Sequence, residues 1–307
     1  NQLVIDEGDP FNKILEAKSI NNVKSLNFFR SVESKVLNSP DGNSKIINIK
    51  VEEKPTGEIM AGAGFGTSGS SILFGVKENN FLGNGVGLDA NINLATDSIK
   101  GKFSVNNPNY KNSDKSLNFT LLATETNRLT NSGYKTNQTG ASLGTRFEYY
   151  DDFFFKLGGS LFYEKLETDS TASARQKTQE GDYFDGFLNF NFDYDKRNQK
   201  FQTSDGFRSN YGVDVPLISE SYTLTNSFNY KYFSELYEDN ITSISFSFKS
   251  ANSINNENVK LSERLYLSPS KLRGFEFGKV GPKEGDDFVG GNFISSLNLN
   301  STLPQIL

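Results

Sequence analysis

Two glycine clusters and two pairs of neighbouring aspartates are the residues of this chain whose types and spacing could carry chemistry. The glycine clusters, GAGFG at 62–66 and GNGVG at 83–87, resemble phosphate-binding loops in composition. Such a loop must open a helix, whereas both clusters lead into runs with the alternating pattern of β-strands. The aspartate pairs at 151–152 and 286–287 stand in predicted turns, where aspartate is favoured because it hydrogen-bonds the nearby backbone. We therefore interpret all four groups as structural.

The amino-acid composition excludes much of the usual catalytic chemistry. The 307 residues include no histidine, which removes the commonest general base, the usual metal ligand and any Ser-His-Asp arrangement. They include no cysteine, which removes disulfides and thiolate metal sites. The net charge of −5 argues against a nucleic-acid partner, since phosphate contacts need clustered lysine and arginine. We predict a protein that is not an enzyme and that uses no cofactor and no metal.

The longest segment without a strand pattern, residues 252–288, has an unusual centre, SPSKLRGFEFGKVGP. Loops of this length are usually functional or disordered. Apolar side chains surround the single Arg273 there, which suits a loop folded inward with its guanidinium paired to buried carboxylates or carbonyls. An ordinary surface loop is the alternative. The apolar residues are Leu272, Phe275, Phe277 and Val280.

Alternating polar and apolar residues predict about twelve strands from Glu58 onward. Most are longer than the ~5–6 residues of an ordinary strand. Long strands, alternation of short and long connections, and aromatic residues near strand ends are typical of a transmembrane β-barrel with a lipid-facing side and a wet interior. A large secreted β-sandwich or adhesin is the alternative. The predicted strands lie near 58–66, 70–79, 84–95, 98–107, 115–126, 137–150, 152–166, 182–195, 205–217, 220–235, 239–251 and 289–302.

The first 53 residues differ in style from the rest. Apolar residues at helical spacing within 10–29 predict a helix, and the runs at 30–37 and 44–53 predict two strands. A helix and a hairpin are too small to be stable alone. No run of ~18 apolar residues occurs anywhere in the chain, which excludes a transmembrane helix.

Four segments, taken in chain order, resemble the BamA family of outer-membrane β-barrel assembly proteins. LRGF at 272–275, with the Gly-Pro that follows, resembles the family signature on the sixth extracellular loop, which tucks into the barrel lumen. VGGN at 289–292 resembles the start of the next strand, and KPTG at 54–57 resembles the junction between the last POTRA domain and the first barrel strand. The segment 7–32 resembles the second part of that POTRA domain.

The resemblance implies an all-β fold, an antiparallel transmembrane β-barrel preceded by a partial α+β POTRA domain. Residues 1–53 would be the POTRA part in the periplasm, and 54–307 the barrel, with the inward-folded loop at 252–288. About twelve of the family's expected sixteen strands are found. The chain therefore looks like a fragment that lacks the C-terminal strands and the upstream POTRA domains.

The resemblance also implies roles for particular residues. In the family, the loop arginine pairs with acidic residues on the strands that follow. One such position falls at Asn300, which is not acidic, so either a neighbouring acid substitutes or a later strand supplies the partner. The loop signature comprises Leu272, Arg273, Gly274 and Phe275. The implied lateral-gate strand comprises Ile59, Met60, Ala61, Gly62, Ala63, Gly64, Phe65 and Gly66.

The implied function is assembly and insertion of outer-membrane proteins by β-augmentation at a lateral seam between the first and last strands. The implied partners are unfolded outer-membrane client proteins, accessory lipoproteins, periplasmic chaperones and the lipid bilayer. The implied location is the outer membrane of a Gram-negative bacterium, with the N-terminal segment in the periplasm. A TamA-like or two-partner-secretion polypeptide transporter of the same superfamily is one alternative, and a passive porin or adhesin barrel is another.

Overall fold

The computed structural model of the protein places most of the chain. The ends of the predicted domains, residues 1–2 and 303–307, lie outside the described residues. Among the described residues, no helix combines the length and the hydrophobicity that crossing a membrane requires. The described residues are 3–40, 42, 44–66, 69–200, 202–237, 240–268 and 270–302.

The N-terminal segment forms one helix and one hairpin. Helix α1 (Lys13–Ser25) begins after Asn12, whose side-chain oxygen accepts a hydrogen bond from the backbone N–H of Ile14 at 2.8 Å. Strands β1 (Phe29–Asn38) and β2 (Lys45–Glu53) pair antiparallel, and α1 packs against β1. The helix and both strands occur where the sequence pattern predicts them. Their assignment to a POTRA domain stays a prediction.

Eleven successive strands of the remaining chain pair antiparallel with their sequence neighbours. Two one-turn helices, α2 (Leu129–Ser132) and α3 (Ala174–Lys177), lie in the connections. The strands are β3 (Gly57–Gly66), β4 (Gly69–Phe81), β5 (Val86–Ala95), β6 (Ser98–Asn107), β7 (Ser116–Arg128), β8 (Tyr134–Tyr150), β9 (Phe153–Thr168), β10 (Gly181–Asp195), β11 (Gly206–Ile218), β12 (Thr223–Tyr237) and β13 (Asn240–Ser253).

The chain after β13 leaves the sheet and returns to it. Strands β14 (Lys283–Glu284) and β15 (Asp287–Phe288) form a separate two-residue ladder, and β16 (Phe293–Ser301) then pairs with β13 as the twelfth strand of the sheet. The predicted twelve strands are confirmed to within a few residues. The last begins at Phe293 and not near 289, because Gly290 turns the backbone at φ +71° and Gly291 pairs with Leu265 instead.

Side chains of the sheet alternate between an outer face and an inner face. On β10, Phe184 is 52% exposed on the outer face, whereas the adjacent Asp185 is 3% exposed on the inner face. Large apolar side chains remain exposed on the outer face of strand after strand. The described residues contain no second sheet that covers this face, so the sandwich alternative is wrong. Examples are Phe74, Ile92, Phe103, Leu121, Leu161, Phe246 and Leu297.

Aromatic rings reinforce the outer face where β9 to β12 meet. The ring of Phe192 lies 5.1 Å from that of Phe155 and 6.3 Å from that of Tyr211. Tyr194 and Phe207 meet edge to face at 5.5 Å. Each such cross-strand pair contributes about 0.2–1 kcal/mol. These contacts stabilise the sheet on the side that faces acyl chains.

The apolar core lies on the inner face, where little apolar surface is available. It consists of Tyr134, Leu166, Leu261 and Val289, with Tyr183 packed against it. The first two belong to β8 and β9, and the next two to the segment between β13 and β16. The inner face is therefore covered by that segment.

The two faces predict opposite responses to a new charge at adjacent positions on β7. Leu121→Lys places an ammonium on the outer face and should destabilise the barrel by about 2–4 kcal/mol if that face lies in hydrocarbon. Thr120→Lys places the same group on the inner face, which is polar, and should cost much less. Urea unfolding of the full-length protein in lipid vesicles measures both. An equal loss of unfolding free energy in the two variants would contradict the assignment of the outer and inner faces.

Candidate functional site: the lumen loop

The segment from residue 254 to 292, here called the lumen loop, lies against the inner face of the sheet. Lys271 Nζ donates to Ser247 Oγ on β13 at 2.6 Å, and Asn298 Nδ2 on β16 donates to the Lys271 carbonyl at 3.0 Å. At the far side, the guanidinium of Arg128 on β7 lies 4.5 Å from the ring of Tyr266. The lumen loop thus touches strands at both ends of an eight-strand arc of the sheet.

A buried ion cluster lies where the lumen loop enters the interior. The Lys260 ammonium is 2.6 Å from Asp185 Oδ2, 2.9 Å from Glu164 Oε2 and 3.7 Å from Glu263 Oε1. It also lies 4.5 Å from the ring centroid of Tyr183. The Lys260 side chain is 3% exposed, so this ammonium has exchanged its water shell for protein partners.

Hydroxyl groups complete the coordination of the three carboxylates in this cluster. A carboxylate that is buried beside one lysine still has unused lone pairs, and hydroxyl donors satisfy them. The connection that follows β11, the first residue of β12 and the loop itself provide the donors. They are Ser219 Oγ to Asp185 at 2.7 Å, Ser262 Oγ to Glu164 at 2.9 Å, and Thr223 Oγ1 to Glu263 at 2.6 Å.

The electrostatics of the cluster follow from three carboxylates that share one ammonium. Burial lowers the pKa of Lys260, but the fields of Glu164, Glu263 and Asp185 outweigh it and raise that pKa above its usual value. Burial raises the pKa of the Glu263 carboxyl against the opposing effect of Lys260. The lysine is therefore held in its charged form, whereas burial favours the protonated form of Glu263.

A second cluster holds the middle of the lumen loop. The Arg128 guanidinium lies against two neighbouring aromatic rings of the loop, at 4.5 Å from the Tyr266 centroid and 5.0 Å from the Phe277 centroid. Its Nη1 donates to the hydroxyl of Tyr134 at 3.0 Å. The Tyr266 hydroxyl in turn donates to the Phe288 carbonyl at 3.2 Å. One cation of the wall thereby joins two parts of the loop.

The returning limb of the lumen loop is fixed by the connections that contain α2 and α3. Gln176 Nε2 donates to Asp287 Oδ2 and to the Ser132 carbonyl, both at 3.1 Å. Ser173 Oγ donates to Glu284 Oε1 at 2.6 Å. Asp287 belongs to one of the aspartate pairs of the sequence, and its contacts here bind the loop to the wall.

The predicted signature occupies the tip of the lumen loop. Leu272 is half-buried, whereas Arg273 and Gly274 are exposed and Phe275 is 56% exposed. Arg273 makes no ion pair among the described residues. Asn300 lies opposite Ser243 on β13, and it is Asn298, two residues earlier, that contacts the loop. The bracing role of the signature stays a prediction.

The predicted gate strand is β3, at one edge of the sheet. It pairs with β4 from Gly57 to Gly66, and the described residues contain no partner for its other side. Ile59 and Phe65 are 87% and 88% exposed on the outer face. Among the described residues, β3 therefore pairs on one side, with β4, and carries apolar side chains on its outer face.

Sequence reasoning missed the Lys260 and Arg128 clusters. The alternation along β10 assigns Asp185 to the inner face, which is correct, but nothing local to Asp185 or Lys260 indicates that they meet. The only available signal was a lone lysine beside apolar residues, VKL, within an otherwise polar stretch. A buried lysine requires a carboxylate partner, but periodicity does not identify which one.

A single wide antiparallel sheet, apolar on its outer face and filled by a long loop on its inner face, defines an outer-membrane β-barrel protein. Residues 80–305 match the Omp85 superfamily domain. The chain belongs to the Omp85 superfamily.

Individual proteins refine this placement. The chain is 23% identical to the outer membrane protein assembly factor BamA of Neorickettsia risticii (strain Illinois), over 95% of this chain and 40% of that protein. The chain therefore spans less than half the length of that relative. Together with the superfamily match, this similarity confirms the predicted BamA resemblance and the outer membrane as the location.

Solved structures agree on the fold. BamA from Haemophilus ducreyi lacking POTRA domains 1–3 matches all of this chain and 64% of its own, with a TM-score of 0.85 and 22% identity. CdiB from Acinetobacter baumannii matches 99% of this chain and 57% of its own, with a TM-score of 0.56 and 11% identity. CdiB from Escherichia coli matches 97% of this chain and 58% of its own, with a TM-score of 0.57 and 14% identity. The predicted antiparallel barrel fold is confirmed.

The Arg128 cluster yields a stability prediction. Arg128→Met keeps much of the side-chain length but removes the cation and the hydrogen bond to Tyr134, and should cost about 1–3 kcal/mol of unfolding free energy. Arg30→Met is the matched control, because Arg30 pairs with Glu52 only at the exposed surface and should cost less than about 1 kcal/mol. Urea unfolding of the full-length protein in vesicles compares them, and a loss at Arg128 no larger than at Arg30 contradicts the prediction.

Proposed function

We propose that this chain is the barrel part of an outer-membrane protein insertase of the BamA type. In this proposal, a client β-barrel is assembled strand by strand along a lateral seam at β3. The observation that carries the proposal is the glycine-rich composition of β3, the first strand of the sheet, which weakens whatever pairing this strand makes.

The composition of β3 suits such a seam. Its sequence, GEIMAGAGFG, has four glycines between residues 57 and 66 and a single β-branched residue, Ile59. Glycine and alanine pack poorly on a pleated surface, so the pairing of this strand is weak for its length. An unpaired backbone edge in hydrocarbon is costly, and an incoming client strand satisfies it by β-augmentation.

The free energy for this process comes from the client. Its backbone gains hydrogen bonds and its apolar side chains enter the bilayer, so the proposal requires no nucleotide, metal or cofactor. The chain acts as a template and not as an enzyme. Its clients are unfolded outer-membrane proteins. Residues 1–53, as part of a periplasmic POTRA domain, receive these clients together with accessory lipoproteins and chaperones.

Two alternative functions make different demands on the lumen. A polypeptide transporter of the same superfamily moves its substrate through the barrel, and a passive porin needs an open channel. The lumen loop spans the inner face from β7 to β16, and three separate sets of contacts hold it there. This filling supports insertion at the wall over a passive porin. The number and sequence of upstream POTRA domains would discriminate an insertase from the transporter.

A cross-linking experiment tests the seam. A photo-reactive amino acid at Ala61 or Ala63 on the outer face of β3 should cross-link to a client barrel during assembly in cells that express the full-length protein. Ala141, on the outer face of β8 in the middle of the wall, is the matched control and should give no client adduct. Client adducts absent from both β3 positions, or equally strong at Ala141, would reject the seam.

We also propose that the signature residues Leu272, Arg273, Gly274 and Phe275 brace the tip of the lumen loop during this cycle. A guanidinium forms strong paired hydrogen bonds with carboxylates, which alanine cannot replace. Arg273→Ala in the full-length protein should therefore lower client assembly, as read by the amount of folded client in the outer membrane. Lys279→Ala, which removes an exposed loop cation paired only with Glu276, is the control. Normal assembly with Arg273→Ala would contradict the role.

A further inference from the structure

We infer that Lys260 is the positioning residue of the lumen loop, a buried clasp that fixes the root of the loop to the barrel wall independently of the signature at its tip. This inference rests on the geometry of residues 259–263 and their partners. It does not depend on the proposed insertase function.

The root of the lumen loop is deeply buried. Val259, Lys260 and Leu261 are 3%, 3% and 1% exposed. The backbone N–H of Leu261 donates to Gln179 Oε1 at 2.9 Å, which ties it to the connection before β10. The loop root therefore has apolar, ionic and backbone attachments within three consecutive residues.

The clasp joins the loop root to three different strands of the wall. Lys260 binds Glu164 on β9 and Asp185 on β10, while the neighbouring Glu263 accepts from Thr223 at the start of β12. Attachment to three strands fixes the position and the direction in which the chain enters the lumen. A single contact would allow the loop to pivot.

The tip of the lumen loop makes fewer polar contacts with the wall than the root does. Its polar attachments to the wall are the two hydrogen bonds made by Lys271, to Ser247 and from Asn298. Arg273 and Phe275 are exposed, and Gly274 adopts φ +84° with open space where a side chain would begin. The lumen loop thus divides into a clasped root and a loosely held tip.

The charge balance explains why the root resists displacement. Withdrawal of Lys260 would leave Glu164 and Asp185 buried side by side without a cation, an arrangement far less stable than the paired one. Displacement of the tip exposes no such charges. We therefore expect motion of the lumen loop to occur at its tip while the root stays in place.

A labelling experiment tests the clasp. These 307 residues contain no cysteine, and with any cysteine elsewhere in the full-length protein replaced by serine, a single introduced thiol reports its own accessibility. Val259→Cys places the thiol next to the clasp in the full-length protein, which is studied in outer-membrane vesicles opened to both faces. Lys260→Met in this background should raise the rate of labelling by a membrane-impermeant maleimide about tenfold or more, because the root opens. A rate equal to that of the parent would overturn the inference.

Two matched variants separate the clasp from other loop contacts. Lys279→Met makes the same substitution at an exposed lysine of the loop and should leave the thiol introduced by Val259→Cys protected. Arg273→Ala should also leave that thiol protected, whatever its effect on client assembly. If either variant exposes the thiol as strongly as Lys260→Met does, the root has no separate anchor and the inference fails.

A neutral version of the cluster covers the case in which Lys260→Met does not assemble. Lys260→Met combined with Glu164→Gln, Asp185→Asn and Glu263→Gln removes the clasp without leaving a buried charge unpaired. In the Val259→Cys background, we expect this quadruple variant to fold and to label about tenfold faster than the parent. Parent-like protection in the quadruple variant overturns the inference, whereas absence of client cross-links at β3 affects only the proposed function.

Discussion

Pairing of the backbone is the constraint on which the rest of this structure depends. A strand among acyl chains has no water to bond its amides and carbonyls, so every such group must find a partner in another strand. The antiparallel ladders from β3 to β16 meet this requirement for all but the two edges of the sheet. Because successive side chains then point to opposite faces, the same ladders separate an apolar outer surface from a polar inner one.

Because the inner face is polar, the lumen loop that covers it must be held mainly by polar contacts. An inner face of Asn, Ser, Thr and charged side chains cannot be packed by hydrophobic contact alone, and its apolar core is confined to a few residues around Leu261. The loop is instead held by buried ion pairs, by hydroxyl donors and by the guanidinium of Arg128, which lies against two aromatic rings. Such contacts are directional. They therefore attach the loop to the wall and also fix its position there.

The sequence is informative where the physics is local and uninformative where it is not. Alternation over ten or more residues predicts all twelve strands and correctly assigns Asp185 to the inner face, because period two is a property of each strand alone. The partnership of Asp185 with Lys260 joins residues 75 positions apart. It depends on how the loop enters the lumen, which no local pattern encodes. The start of β16 was misplaced for a similar reason, since Gly291 pairs with the loop at Leu265.

The clasp at Lys260 and the proposed seam at β3 lie in separate parts of the wall. The carboxylates that bind Lys260 lie on β9 and β10, and β9 is six strand positions from β3 in the order of the sheet. At ~4.8 Å per strand this separation is about 29 Å along the wall. Adding a strand at the edge of β3 therefore disturbs none of the bonds that hold the root of the loop. In the proposed function, the edge of β3 exchanges strand partners while the loop that fills the interior stays in place.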